Sequence, residues 1–450
     1  MLRSLYLVVF VLIVGLAQAQ TDSTLNSKKE EKVKTGFSMG GVPALAYDSD
    51  LGFLYGVILN FYHYGDGSNY PNYNHSLYME WSRTTKGSGK NILEYDTRTL
   101  IPKTRLKAEF SYLTEQALDF YGYNGYNAYF NSDFLNIDDT TNYISRLYYR
   151  HDRKMLRTGV NLEGQILGKK LRWLGGITFN GVEIGSLDLD RLNKGKDQNE
   201  LLPDTATLYD KYVAWGIIPS DQKDGGNVTV LNAGLVFDTR DIDSSPNKGI
   251  WSEILFQAAP DFLGNKYSYT RLMLAHRQYI SLINKKLVFA YRVSYHTKLS
   301  GEIPFYMLPF YVSSNTIKDG LGGSKTLRGI LRNRVVGDGL GLANVEFRWT
   351  FFRTVIANQN LSLVLSGFGD MGKVIDPYDF DKSGVTAGYG FTKEENLAML
   401  NNGPEKLHIS YEAGLHIALN TNFIIAVDYG LAGSPDDGKS GLYIALNYIF

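Results

Sequence analysis

The feature that most restricts the fold is a two-residue alternation that recurs from about residue 52 to the end of the chain. Ala343, Val345, Phe347, Trp349 and Phe351 fall on one face, and Leu342, Asn344, Glu346, Arg348 and Thr350 on the other. Leu407, Ile409, Tyr411, Ala413, Leu415 and Ile417 oppose His408, Ser410, Glu412, Gly414 and His416 in the same way. Leu287, Phe289, Tyr291, Val293 and Tyr295 oppose Val288, Ala290, Arg292, Ser294 and His296. Period two is the repeat of a β-strand. One aromatic face and one charged face suit either a one-sided soluble sheet or a membrane barrel with a wet interior.

Two observations decide for the barrel. Residues 1–19 read as a secretory signal, with Arg3 as a short basic start, an apolar run at 5–16 too short to span a bilayer, and Ala17-Gln18-Ala19 as the cleavage site. Elsewhere no apolar run is long enough for a transmembrane helix. Composition then points the same way. The 32 Tyr, 23 Phe and 46 Gly, against 12 Pro, suit strands with interfacial aromatic girdles and tight turns. The absence of cysteine excludes a lipoprotein anchor, a disulfide framework and a thiolate metal site. With 46 acidic and 46 basic residues, nothing argues for nucleic acid. The expectation is an all-β, 16-stranded antiparallel transmembrane β-barrel over residues 51–450, in contact with outer-membrane lipid. A periplasmic leader and barrel entry precede it at 20–50.

Strands are expected near 52–63, 74–84, 90–99, 103–114, 142–152, 154–166, 171–184 and 228–238. Eight more follow near 249–259, 267–279, 284–296, 339–352, 360–369, 406–418, 422–430 and 440–450. An even count suits a bacterial single-chain barrel. The longest gaps, 185–227, 297–338 and 370–405, all follow odd-numbered strands, so they share one side. The short gaps at 280–283 and 420–421 are turns on the other side, as long external loops and short periplasmic turns require. The gap at 115–141 breaks this rule, and its turn-rich Tyr121-Gly122-Tyr123-Asn124-Gly125-Tyr126 has no assigned role.

A connection of about 40 residues joins strands 11 and 12, which is long enough to suggest a function. It contains Asp319-Gly320-Leu321-Gly322-Gly323-Ser324-Lys325-Thr326-Leu327-Arg328-Gly329-Ile330. Glycines allow tight folding or close approach, and an arginine offers a rigid fork of donors that matches a carboxylate. Some 40 residues later comes Phe368-Gly369-Asp370-Met371-Gly372. A loop folded back into the lumen would pair Arg328 with Asp370, with Glu346 or Glu412 as alternative or shared acceptors. The competing reading is a loop arginine free in solvent.

Leu327-Arg328-Gly329-Ile330 resembles the VRGF/VRGY loop motif of the BamA/TamA outer-membrane assembly factors, and Phe368-Gly369-Asp370 resembles their F-x-D partner motif. Asp238-Thr239-Arg240-Asp241, followed by Pro246 and Gly249, resembles a third hallmark and stands in the family's order. The resemblance covers about residues 228–450; upstream only the strand pattern matches. It implies a bacterial outer-membrane barrel that assists insertion of outer-membrane proteins or translocates polypeptide, without cofactor, metal or catalysis. The seam would lie between the first strand at 52–63 and the last at 440–450, and unfolded outer-membrane proteins would be its clients. Leu442, Ile444, Leu446, Tyr448 and Phe450 resemble the C-terminal signal by which such barrels are recognised for insertion. One departure stands out. Family members carry periplasmic POTRA domains ahead of the barrel, and the roughly 30 residues after Gln20 are too few for one. The chain therefore resembles a barrel-only branch that relies on its turns or on separate periplasmic or membrane subunits.

Several motifs have plainer readings. Asp238 and Arg240 suit a charged turn that fixes register, or a rim that orients a soluble partner. Gly36-Phe37-Ser38-Met39-Gly40 matches the nucleophile elbow of a serine hydrolase, but strands alone follow it. Gly322-Gly323-Ser324-Lys325-Thr326 misplaces the lysine of a phosphate loop. His408 and His416 lie about 27 Å apart in a strand, too far for one metal. Three functions stay open: an assembly or translocation factor, a non-insertase channel or structural subunit of an outer-membrane complex, and a membrane hydrolase.

Overall fold

The computed structural model describes residues 33–48, 52–313, 317–356, 359–419, 423–446 and 448–450; the secretory signal lies outside the described residues. Its framework is one antiparallel sheet of 16 strands, each paired with the next in sequence. In order they are β1 (Phe37–Asp48), β2 (Gly52–His63), β3 (His75–Thr84), β4 (Gly89–Ile101), β5 (Thr104–Asp119) and β6 (Arg150–Leu167). There follow β7 (Leu171–Gly185), β8 (Gly225–Asp238), β9 (Gly249–Ala259), β10 (Tyr269–Ile283) and β11 (Leu287–Gly301). The sheet ends with β12 (Gly339–Ile356), β13 (Gln359–Asp376), β14 (His408–Leu419), β15 (Phe423–Ala432) and β16 (Ser440–Leu446).

The count agrees with expectation, but two strands do not. The first strand is 37–48, not 52–63, and the segment 142–149 is irregular, with β6 starting only at Arg150. Both differences have a physical source. The even positions of β1 are Ser38, Gly40, Val42 and Ala44, so the strand has no charged face to betray it. Conversely, Tyr148 and Tyr149 have strand-forming character but are buried in external packing. Once β1 is counted, the connection 120–149 follows an odd strand, and the four longest connections share one side of the sheet.

Along β12, Phe347 and Trp349 are about half exposed on the outer face, at 50% and 52%, while Glu346 and Arg348 between them are buried inside at 0% and 3%. Greasy residues outward and charges inward is the pattern a lipid solvent selects. The sheet curls far enough that one inserted loop touches opposite walls: Arg332 meets Glu115 on β5 at 2.7 Å, and Arg328 meets Asp370 on β13 at 3.0 Å. The two sheet edges come together where a Cβ on Gly40 of β1 would lie 3.0 Å from the ring of Phe423 of β15. No hydrogen-bonded ladder joins β1 to β16 among the described residues.

The long connections roof the outer mouth. Phe120 meets Tyr212 edge-to-face at 5.2 Å, Tyr123 meets Tyr378 at 4.8 Å, and Phe134 meets Tyr148 at 5.6 Å. Helix α1 (Leu208–Ala214) is held at its start by a capping box between Thr207 and Asp210, and carries Leu208, Tyr209 and Tyr212 into this cluster. The turn-rich stretch around Tyr121 thus has its role here. It supplies aromatic area that must be buried somewhere, and the roof is where it goes.

Candidate functional site

The lumen loop is shaped by short bonds of its own. Gly323 N donates to the Ile330 carbonyl at 2.9 Å, Gly322 N donates to Thr326 Oγ1 at 2.9 Å, and Thr326 Oγ1 donates to the Gly320 carbonyl at 3.0 Å. Gly322 has φ +117°, and a Cβ there would sit 1.9 Å from the Leu331 carbonyl oxygen, so no other residue fits. Leu321, Leu327, Ile330 and Val335 are buried with Leu340, Leu342 and Val374, which fastens the loop to the β12–β13 wall.

This packing aims Arg328 at one carboxylate. Nε and Nη2 of Arg328 reach Oδ2 and Oδ1 of Asp370 at 3.0 and 3.2 Å, a two-pronged pairing. The Arg328 backbone N–H donates to the same Oδ2 at 3.1 Å, and Asn344 Nδ2 donates to Oδ1 at 2.7 Å. Arg328 Nη1 also reaches Asp428 Oδ2 on β15 at 3.4 Å, and its guanidinium carbon lies 3.1 Å from the centre of the Phe368 ring. The spacing of Phe368 and Asp370 is explained by the strand repeat: both face the lumen, one as a platform and the other as acceptor. Arg328 is 1% exposed, so the pair is desolvated. Hydrogen bonds to charged groups contribute about 1.5–3 kcal/mol, and removing one member of such a pair costs about 3–5 kcal/mol because the other stays buried.

Gly329 completes the clamp. Its N–H donates to Tyr443 Oη on β16 at 2.9 Å, and a Cβ there would fall 2.8 Å from the backbone of Gly430 on β15. The loop therefore binds β12, β13, β15 and β16, the strands nearest the unjoined edge. Asp428, Asn344 and Tyr443 escaped the sequence reading. Asp428 carried a signal, as the one acid in the otherwise apolar strand Phe423–Ala432. Arg334 also escaped it. Its donors reach the carbonyls of Asp436, Gly125 and Ala128 at 2.8, 2.7 and 3.1 Å, tying the loop to the roof.

The expected alternative acceptors need correction. Glu346 takes Arg348 at 3.2 Å, two residues along the same inward face. The Glu412 side chain lies outside the described residues.

The turn motif folds inward too. Arg240 donates through Nε and Nη2 to Asp238 Oδ1 and Oδ2 at 3.0 and 3.1 Å and lies 4.3 Å over the Trp251 ring. Asp241 accepts from the backbone of Asn247 at 2.9 Å, and Gly249 opens β9 beside Thr239. Asp243 is ion-paired with Arg98 and packed near Arg105 and Arg240. Burial alone would raise its carboxyl, but these three arginines outweigh that and hold it well below the usual carboxylate range. These contacts make the turn a register-fixing structure, with Arg240 committed internally.

The final stretch differs most from expectation. Strand β16 stops at Leu446, and Tyr448 and Phe450 leave the outward register. Phe450 packs inside with Tyr279, Val288 and Ala290, and the Arg348 guanidinium lies 3.9 Å over Tyr448. An inward wall of arginines and aromatic rings attracts these side chains more strongly than the ladder holds them. Ser38, for its part, lies within the unbroken strand β1, so the sharp strand–helix turn of a nucleophile elbow is replaced by extended chain.

CdiB from Escherichia coli has a similar structure, with a TM-score of 0.51 at 10% identity, over 92% of this chain and 62% of its own. BamA from Haemophilus ducreyi lacking POTRA domains 1–3 aligns with a TM-score of 0.47 at 14% identity, over 92% of this chain and 69% of its own. The chain thus spans less than two thirds of the length of that CdiB. No curated protein sequence matches significantly. The Omp85 superfamily domain matches residues 103–450, well upstream of the 228 at which the motif resemblance began. With its lumen loop clamped to an F-x-D strand inside a 16-stranded sheet, the chain belongs to the Omp85 superfamily and is an outer-membrane β-barrel protein.

Proposed function

We propose that the chain assists insertion of outer-membrane proteins, or translocation of polypeptide, at the seam between β1 and the last hairpin. The observation that carries this reading is the 12-residue β1, which pairs with β2 on one side and has no ladder on the other among the described residues. An unpaired edge presents a row of N–H and C=O groups that templates an incoming strand. A client strand gains main-chain hydrogen bonds there while its outward side chains enter lipid. The reading needs neither catalysis nor cofactor. The clamp has a defined part in it: by holding β12, β13, β15 and β16 to one loop, it stiffens one lip of the seam while the other lip stays free to move. Clients are unfolded outer-membrane proteins, delivered by separate periplasmic or membrane subunits that cross-linked pull-down from native membranes would identify.

The test uses the cysteine-free chain. Thiols are introduced at Gly40 and Phe423, whose contact marks the meeting of the edges, and joined by a reducible cross-linker in reconstituted vesicles. Insertion of an unfolded barrel protein is expected to fall at least tenfold when the seam is joined and to recover with reductant. Full activity while joined would favour the alternative, a structural subunit without insertase action.

A further inference from the structure

The ladder between β15 and β16 stops at Ile425–Leu446, two residues short of the start of β15. Residues 448–450 do not lengthen it. They turn into the lumen and lie on a wall built by β10, β11, β12 and β14. Arg348 Nη2 donates to the Phe450 carbonyl oxygen at 3.2 Å. The Tyr448 ring lies between the Arg348 guanidinium, at 3.9 Å, and the His416 ring, at 5.0 Å. Phe450 lies 5.2 Å from the Arg292 guanidinium and 6.3 Å from the Tyr279 ring.

Arg292 shows why this wall is incomplete without the tail. It is fully buried, and neither Nη1 nor Nη2 has a hydrogen-bond partner among the described residues. A buried cation without an acceptor is costly unless something compensates. Here two ring faces do so, Tyr311 at 5.8 Å and Phe450. Removing Phe450 would leave one face only.

We infer that this wall is an internal receptor for the chain's own residues 448–450, and that its occupancy sets the state of the seam. While seated, the tail withholds from the sheet edge the residues that would lengthen β16. The lower part of the seam is then left to the contact between Phe423 and Gly40. Unseated, the tail extends β16 along β15 and offers a full edge to β1. This inference rests on the seam reading above, and names what regulates it.

The test is made on the full chain in vesicles, with Ile449→Cys as a reporter because Ile449 is buried in the seat. A water-soluble maleimide should label position 449 slowly in this background. With Arg292→Gln and Arg348→Gln added, labelling should rise at least tenfold, and amide hydrogen exchange across residues 37–44 of β1 should slow as the seam zips. Since Arg348→Gln also strips Glu346 of its partner, a second variant leaves both arginines in place. Phe450→Ser removes the ring alone and should give the same two changes. Unchanged labelling in both variants, or faster labelling with no change in β1 exchange, overturns the inference. Neither readout uses a client, so a failure of the seam as an insertion site would appear in client insertion alone.

Discussion

Arg328 has more work than one ion pair explains. It donates to Asp370 through a fork and a backbone N–H, reaches Asp428, and stacks on Phe368. Arg328→Ala removes the fork and leaves a buried carboxylate, so a loss of about 3–5 kcal/mol is expected. Thermal unfolding in detergent and protease protection of residues 302–338 would measure it. Arg328→Lys keeps the charge without the planar fork and should fall between. Lys211, in the roof, gives a pH test. Its amine is buried, has no hydrogen-bond partner among the described residues, and lies 4.5 Å from the Phe391 ring centre and 5.1 Å from that of Tyr148. Burial lowers its pKa to about 8. An unfolded lysine keeps its proton to about 10.4, so above pH 8 the unfolded chain binds more protons than the folded one. Stability must therefore rise with pH from about 8 toward 10. Melting of the roof followed between pH 7.5 and 9.5 should show that rise in the parent and a flatter curve in Lys211→Met.

At the scale of elements, the loop is fixed by glycines that accept close backbone contact. Gly329 has φ +86° and lies against the β15 backbone. Gly329→Ala combines a strained φ with overpacking, and should cost about 2–4 kcal/mol, read as lost protease protection of the loop with β-sheet circular dichroism retained. The clamp was legible because its residue types are chemically specific: an arginine among glycines and an aspartate two residues from a phenylalanine, in strands whose alternation fixes which side chains point inward. Fourteen of the expected strands correspond to observed ones for the same reason, with ends that shift by a few residues. β1 was not legible, because small inward residues such as Gly40 and Ala44 erase the polarity contrast that marks a strand. Segment 142–149 misled in the opposite sense, since Tyr148 and Tyr149 suit a strand and a packed roof equally well. Tyr448 and Phe450 keep the alternation of an outward edge, and only the distant Arg292 and Arg348 draw them inside. A long-range partner of that kind leaves no mark in local pattern.

For the whole molecule, the misplaced first strand matters most, because the seam is defined by which strands are its lips. Sequence located one lip at 52–63; the structure moves it to 37–48 and shortens the other to 440–446. The sixteen-fold count survived because one strand was missed and another was wrongly assigned. The insertion test with thiols at Gly40 and Phe423 and the tail test at position 449 both belong to this scale, since each reads a relation between the two ends of the sheet. The aromatic roof gives that relation a direction. Its rings come from connections that share one side, and Arg334 ties it to the loop below. A vessel lidded on the environment's side and unjoined down one flank favours sideways departure into the bilayer over escape to the medium, so traffic through it has a one-way geometry built from tyrosines and phenylalanines.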